Sequence, residues 1–133
     1  MAWTASGIYY TTIRDVLDTT QLALDLDLET HKIAIYDTND TPNYSTETAY
    51  SATNEVTGTN WAAGGVVLTG TAIDESPTGT LRWDATDVSV ANTTITTDTE
   101  GAKIYADALA GNNLICGIDY PAGDYTTSAA TYG

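Results

Sequence analysis

Leu22-Ala23-Leu24-Asp25-Leu26-Asp27-Leu28, a polar break at Glu29-Thr30-His31, and Lys32-Ile33-Ala34-Ile35-Tyr36 form the most regular stretch of the chain. The four leucines recur at every second position, and Ile33 and Ile35 do the same after the break. A period of two sends alternate side chains to opposite faces of an extended strand. The stretch therefore predicts two strands joined as an antiparallel hairpin, both feeding one core.

Working outward, the same alternation returns several times. Val66 to Ile73 is apolar at Val66, Val67, Leu68 and Ile73, and it follows Gly64 and Gly65, which mark a bend or a close backbone approach. Asp74 to Gly79 reads as a turn. Thr80 to Ala85 then sets Leu81, Trp83 and Ala85 against Thr80, Arg82 and Asp84. Val88, Val90 and Ile95 sit in a Thr-rich run that predicts one short strand. Ala102 to Ala106 predicts another, and Leu114 to Tyr120 closes the series with Leu114, Cys116, Ile118 and Tyr120 on one side. Upstream, Tyr9, Ile13, Val16 and Leu17 fall at helical spacing, so Tyr9 to Asp18 is the one short N-terminal helix expected, while Asp107 to Ala110 is long enough only for a turn. Seven or eight strands about ten residues apart predict an all-β fold, an antiparallel β-sandwich or jelly-roll-like domain spanning 1–133. Residues 1–10 read as an N-terminal arm, and 37–60, poor in aliphatics and containing Pro42, as a long surface excursion.

Composition agrees. The 133 residues include 26 threonines, nine tyrosines and three tryptophans, and no phenylalanine. Thr, Tyr, Trp, Val and Ile suit a half-buried pleated surface. Eighteen Asp and Glu stand against four Lys and Arg, a formal charge of -14. Phosphate binding needs clustered cations, whereas Arg14, Lys32, Arg82 and Lys103 are scattered, so neither nucleic acid nor an anionic membrane is an expected partner. Stability must come from packing, because Cys116 is the only cysteine and cannot form an internal disulfide.

The chemistry-bearing residues form no catalytic set. Asp37-Thr38-Asn39-Asp40 begins like a calcium loop but continues with Thr41 and Pro42 where an oxygen ligand and Gly are needed, which leaves an Asx-type turn. Glu100, Asp119 and Asp124 are further oxygen donors with no sequence relation to one another. His31 reads as a solvated turn histidine and Cys116 as a small buried strand residue. Gly64-Gly65 lacks the later glycine and lysine of a phosphate loop. The expectation is no enzyme, no metal and no cofactor. Trp61 and Trp83 belong to apolar strands, whereas Trp3, Tyr9 and Tyr10 precede the regular pattern, and aromatic anchors dominate interface energetics. Those three are the expected partner-binding residues.

Taken in order, Ala2-Trp3, the Leu22 to Tyr36 stretch, Asn54-Glu55-Val56-Thr57-Gly58-Thr59 and Trp61-Ala62-Ala63-Gly64-Gly65 open a pattern. Glu75-Ser76-Pro77-Thr78-Gly79, Trp83-Asp84-Ala85, Ala91-Asn92-Thr93-Thr94-Ile95-Thr96, Gly101-Ala102-Lys103-Ile104-Tyr105 and Leu114-Ile115-Cys116-Gly117-Ile118-Asp119-Tyr120 complete it. The pattern resembles a group of small virion proteins of tailed bacteriophages encoded among the head and structural genes. The likeness covers most of the chain, and its motifs are glycine turns and strand ends. It implies a capsid decoration, minor capsid or fibre-like role at the virion surface, with the major capsid protein as partner and a homo-oligomeric state. A receptor- or glycan-binding module of a tail or fibre is the alternative. Such proteins continue past a Thr/Ser-rich stretch like Tyr125 to Thr131 into a final apolar strand, which is a departure here.

Overall fold

The computed structural model describes residues 3–120 and 125–132. The chain is mostly β: β1 (Gly7–Ile8), α1 (Tyr10–Leu17), β2 (His31–Tyr36), β3 (Val66–Val67), β4 (Ala72–Glu75), β5 (Leu81–Asp84), β6 (Val90–Thr99), β7 (Gly101–Ala106), β8 (Leu114–Asp119) and β9 (Tyr125–Tyr132). Five strands form an antiparallel sheet in the order β1-β8-β7-β2-β3, and β4-β5 and β6-β9 are separate antiparallel pairs.

The alternation in β2 and β7 is real, and both faces of the sheet are covered. Ile33, Ile35, Ala102, Ile104 and Ala106 turn to one side, where Val56, Trp61, Leu68 and Ile95 of β6 close over them in a sandwich-like layer. Ala34, Tyr36 and Tyr105 turn to the other, where they meet Leu114, Trp3 and Tyr9. A bulge in β8, where Ile104 pairs with Cys116 but Tyr105 with Leu114, puts the neighbours Ile115 and Cys116 on the same cluster and Leu114 on the other. It also ends the expected one-sided run, since Leu114 leaves the face of Cys116; Ile118, in regular register with Ala102, is 37% exposed. Gly65 is where the chain approaches β2 most closely. Its φ is +71°, and a Cβ there would sit 1.9 Å from the Ile33 carbonyl oxygen.

Leu22 to Leu28 is not a strand, and the hairpin with β2 does not form; β2 pairs with β3 and β7 instead. The aspartates that made the alternation look regular capture the backbone. Asp25 Oδ1 accepts the N–H groups of both Asp27 and Leu28, and Glu29 accepts that of Asp25. Such local bonds compete with a sheet ladder. Leu24 and Leu26 still pack on the apolar cluster, while Leu28 is 88% exposed.

The 37–60 segment has no strand of its own, yet it is not a loose excursion. Val56 is in the core, Tyr44 and Tyr50 pack against the aromatic face, and Val56 N–H donates to the Ile35 carbonyl. The N-terminal segment is likewise no arm. Tyr9 N–H donates to the Ile115 carbonyl, Asp119 N–H to Ser6 Oγ, and Tyr44 hydroxyl to the Ala5 carbonyl, so residues 5–9 are stitched to the edge of the sheet. Met1 and Ala2 of the expected arm lie outside the described residues.

The Thr-rich run forms a ten-residue strand, β6, and its partner β9 is the Thr/Ser stretch itself. Threonines bond across this pair, with Thr93 Oγ1 donating to the Ala130 carbonyl. Val66 to Ile73 splits at Gly70, whose φ is +62°, into two-residue β3 and the start of β4. The β4-β5 ribbon is exposed at almost every position and is held by Trp83, whose indole N–H donates to the Leu26 carbonyl.

Candidate functional site

Helix α1 is amphipathic in the inverse sense. Its buried residues are Thr11 and Thr12, and they are buried because each hydroxyl has a carbonyl to donate to: Glu47 for Thr11, Leu114 for Thr12. A rotation that buries this pair must turn Tyr10, Ile13 and Leu17 outward. Tyr10 is 49% exposed, Ile13 37% and Leu17 80%. Positions three and four apart line one helix face, so these residues form one stripe, and Ile8 on the preceding strand, 62% exposed, lies next to it in sequence. Arg14 arches over the Tyr10 ring at 5.9 Å from its centre and pairs with Asp15 and Asp18.

The surroundings of this stripe are acidic. Each of the four cations is already occupied within the chain: Arg14 with Asp15, Lys32 with Asp107, Arg82 with Asp74, and Lys103 with Asp40 and Glu47. The surplus carboxylates therefore set the sign of the surface, and an apolar stripe in such a field is suited to a protein partner whose own rim is neutral or basic.

Of the three expected contact residues, only Tyr10 is on the surface. Trp3 and Tyr9 are 1% and 0% exposed, which corrects the expectation of a docking arm. The physical reason is the glycines of the sheet: a Cβ at Gly101 would lie 2.7 Å from the Trp3 ring, and one at Gly117 would lie 3.3 Å from it. Their bare backbone makes the room that the indole fills. Ile8, Ile13 and Leu17, which lie exposed alongside Tyr10, were not singled out in the sequence. The helical spacing of Ile13 and Leu17 was visible, but it reads as a core-facing stripe unless the hydroxyl partners of Thr11 and Thr12 are known.

Behind α1, the aromatic face holds a charged group. Lys103, central in β7 and 4% exposed, puts Nζ 3.0 Å from Asp40 Oδ1 and 3.2 Å from Glu47 Oε2, over the ring of Tyr36 at 4.6 Å. Burial raises the Asp40 pKa above the usual carboxylate value, against the opposing pull of Lys103. Burial, followed by Glu47, pushes the Tyr9 hydroxyl up as well, and burial, followed by Glu55, does so for Tyr36.

The remaining candidates have structural surroundings. The Asp37 turn is an Asx turn, with Asn39 N–H donating to Asp37 Oδ1 at 2.8 Å. His31 is fully buried, not solvated: its Nε2 faces the Asp25 carbonyl at 3.0 Å and so carries the hydrogen, and its ring stands edge-on to Trp83. Cys116 is half-buried on β8, with its thiol pushed up to about 11 by burial. Among the described residues no three His, Cys, Asp or Glu gather as metal ligands, and Asp124 lies outside those residues. No protein-family profile, curated protein or solved structure matches the chain.

Proposed function

We propose that the chain is a non-enzymatic structural protein of a tailed-phage virion, a capsid decoration or minor capsid protein that binds the major capsid protein on the outer shell. The observation that carries the binding mode is the outward apolar stripe of α1 on an acidic surface. Tyr10, Ile13, Leu17 and Ile8 supply the contact, and the excess carboxylates keep the free protein and the decorated particle soluble. The phage assignment rests on the resemblance read in the sequence.

The test is co-sedimentation of the purified protein with capsids stripped of it. Burying a leucine is worth about 1.5–3 kcal/mol, and about 1.4 kcal/mol is tenfold in affinity. Leu17→Asp should therefore weaken capsid binding at least about tenfold while leaving the melting temperature within a few degrees, since the side chain is already in water. Unchanged binding removes α1 from the interface. Absence of binding by the unmutated chain removes the capsid reading.

A second reading, a receptor- or glycan-binding module on a tail or fibre, is favoured by a separate recess of about 280 Å³ lined by Ile33, Trp61, Val88, Tyr120, Tyr132 and Asp87. Aromatic walls with one carboxylate suit a sugar ring. Copy number separates the two readings: quantified bands from purified virions give hundreds of copies for decoration and a few for a receptor-binding tip.

A further inference from the structure

The charged group behind α1 is costly as an ion pair. Lys103 and Asp40 are 4% and 7% exposed, and the walls around them include Trp3, Tyr9 and Tyr36. Asp40 Oδ1 faces Lys103 Nζ, whereas Asp40 Oδ2 is buried with no hydrogen-bond partner. Tyr9 hydroxyl and Trp3 Nε1 are also buried without partners, so the cluster is polar but poorly solvated. A buried pair of opposite charges repays its desolvation only when the remaining lone pairs are satisfied. Here one oxygen of the carboxylate is not. Passing a proton from the ammonium to Asp40 neutralises both groups and removes that cost. It also creates a free amine held against a protonated carboxylic acid.

A third group completes the arrangement. Glu47 stands 3.2 Å from the same nitrogen and is more exposed, at 31% of its side chain, so a second carboxylate is within reach of the amine to carry a proton. An amine, an acid and a carboxylate base in contact, in an aromatic pocket that excludes water, are the components of an amide-forming site. Fixed proximity of this kind replaces a bimolecular step by a unimolecular one, with effective concentrations of about 10⁵ M or more.

We propose that Lys103 and Asp40 condense into an intramolecular amide, with Glu47 carrying the proton. The lone pair of Lys103 Nζ attacks Asp40 Cγ, Glu47 takes a proton from the nitrogen, and the same proton is delivered to the departing hydroxyl. The N–C bond forms, the C–OH bond breaks, and one water leaves. Ammonium plus carboxylate gives amide plus water, with no net change in protons and no oxidant. The bond ties the 37–60 segment to the central strand of the sheet by a link that heat and denaturant do not break. It is independent of the capsid reading, since it concerns only the inside of the domain.

The test is the intact mass of the unmutated full chain, unfolded in denaturant, followed by proteolysis and fragment mass spectrometry. The expected mass is about 18 Da below that of the sequence, with a branched peptide joining positions 40 and 103. A chain at full mass overturns the proposal, and so does a missing water located anywhere else. Asp40→Asn should lose about 17 Da instead, because ammonia then leaves in place of water. Lys103→Arg should retain full mass. Glu47→Gln should also retain full mass while its circular dichroism stays that of the folded chain. If Glu47→Gln is folded and still cross-linked, the proton-carrying role of Glu47 is overturned and the bond itself stands.

Discussion

Replacing Trp3 by alanine tests the account of the N-terminal segment most directly. The indole is 1% exposed and lies against the bare backbone of Gly101 and Gly117, with Lys103 Nζ 6.0 Å from its ring. Removing a buried tryptophan costs about 3–5 kcal/mol when the surroundings collapse only partly. Collapse is limited here because strands β7 and β8 form the floor. With an unfolding entropy of about 2.1 cal/mol/K per residue, a chain of this length has about 0.28 kcal/mol/K, so the melting temperature should fall by about 10–18 °C. Thermal unfolding followed by circular dichroism reads this. A partner mutation sharpens it. In Gly101→Ala the new methyl group would lie 2.7 Å from both the Trp3 ring and the Ile118 carbonyl oxygen, so it should destabilise on its own. In the double mutant the clash with the ring is gone, and the two losses should add to less than their sum. A fall of under about 3 °C for Trp3→Ala, or strict additivity with Gly101→Ala, would show that the indole is not seated on the sheet.

Other expectations follow from the same structure. Gly65→Ala should cost at least about 2 kcal/mol, seen as a lower denaturant midpoint, because the position has positive φ and its Cβ would overlap the Ile33 carbonyl. Alkali should unfold the domain cooperatively. Tyr44 and Tyr105 are pushed up to about 12 by burial, and Tyr9 and Tyr36 higher, so each stays protonated in the fold while the unfolded chain ionises near 10. A raised folded pKa means that stability is fully present below pH 10 and is lost above it, at about 1.4 kcal/mol per pH unit for each of Tyr9 and Tyr36. Tyrosinate absorbance should therefore rise in two stages, the second coinciding with loss of the circular dichroism signal; a single stage with the fold intact would contradict it. Cys116 should react with a disulfide reagent about a hundredfold more slowly in the native protein than in denaturant, since burial holds its thiol at about 11. Equal rates would place the thiol in water.

Which parts of the fold were legible follows from where the information lies. Strands β2, β5, β7 and β8 carry their own alternation, and all four form close to where that pattern places them. Leu22 to Leu28 carries an equally regular pattern and fails, because its polar positions are aspartates that bond their own backbone. Threonines there would have competed with the ladder more weakly. Strand β9 was invisible for the opposite reason. Its threonines, serine and alanines show no apolar period, and it is held by bonds to β6 more than thirty positions away. The charged cluster was hidden in the same way, since Lys103 and Asp40 are 63 positions apart and each reads as a surface residue. The orientation of α1 depended on two hydroxyls finding carbonyls, one of them 102 positions distant.

That sheet order has a consequence for how the protein is made. Strands β1 and β8 lie together, so Ser6 must wait for Asp119, 113 positions later. At about 5–20 residues per second, the wait on a ribosome is about 6–23 s. Through that time Trp3 and Tyr9 have left the exit tunnel with no floor to settle on, because both the glycines they cover and the lysine between them are still unmade. The sheet therefore cannot close over them until β8 has been made. A message broken before the codon for Gly101 yields a chain whose most aromatic surface is permanently bare, a ready substrate for chaperones and proteases.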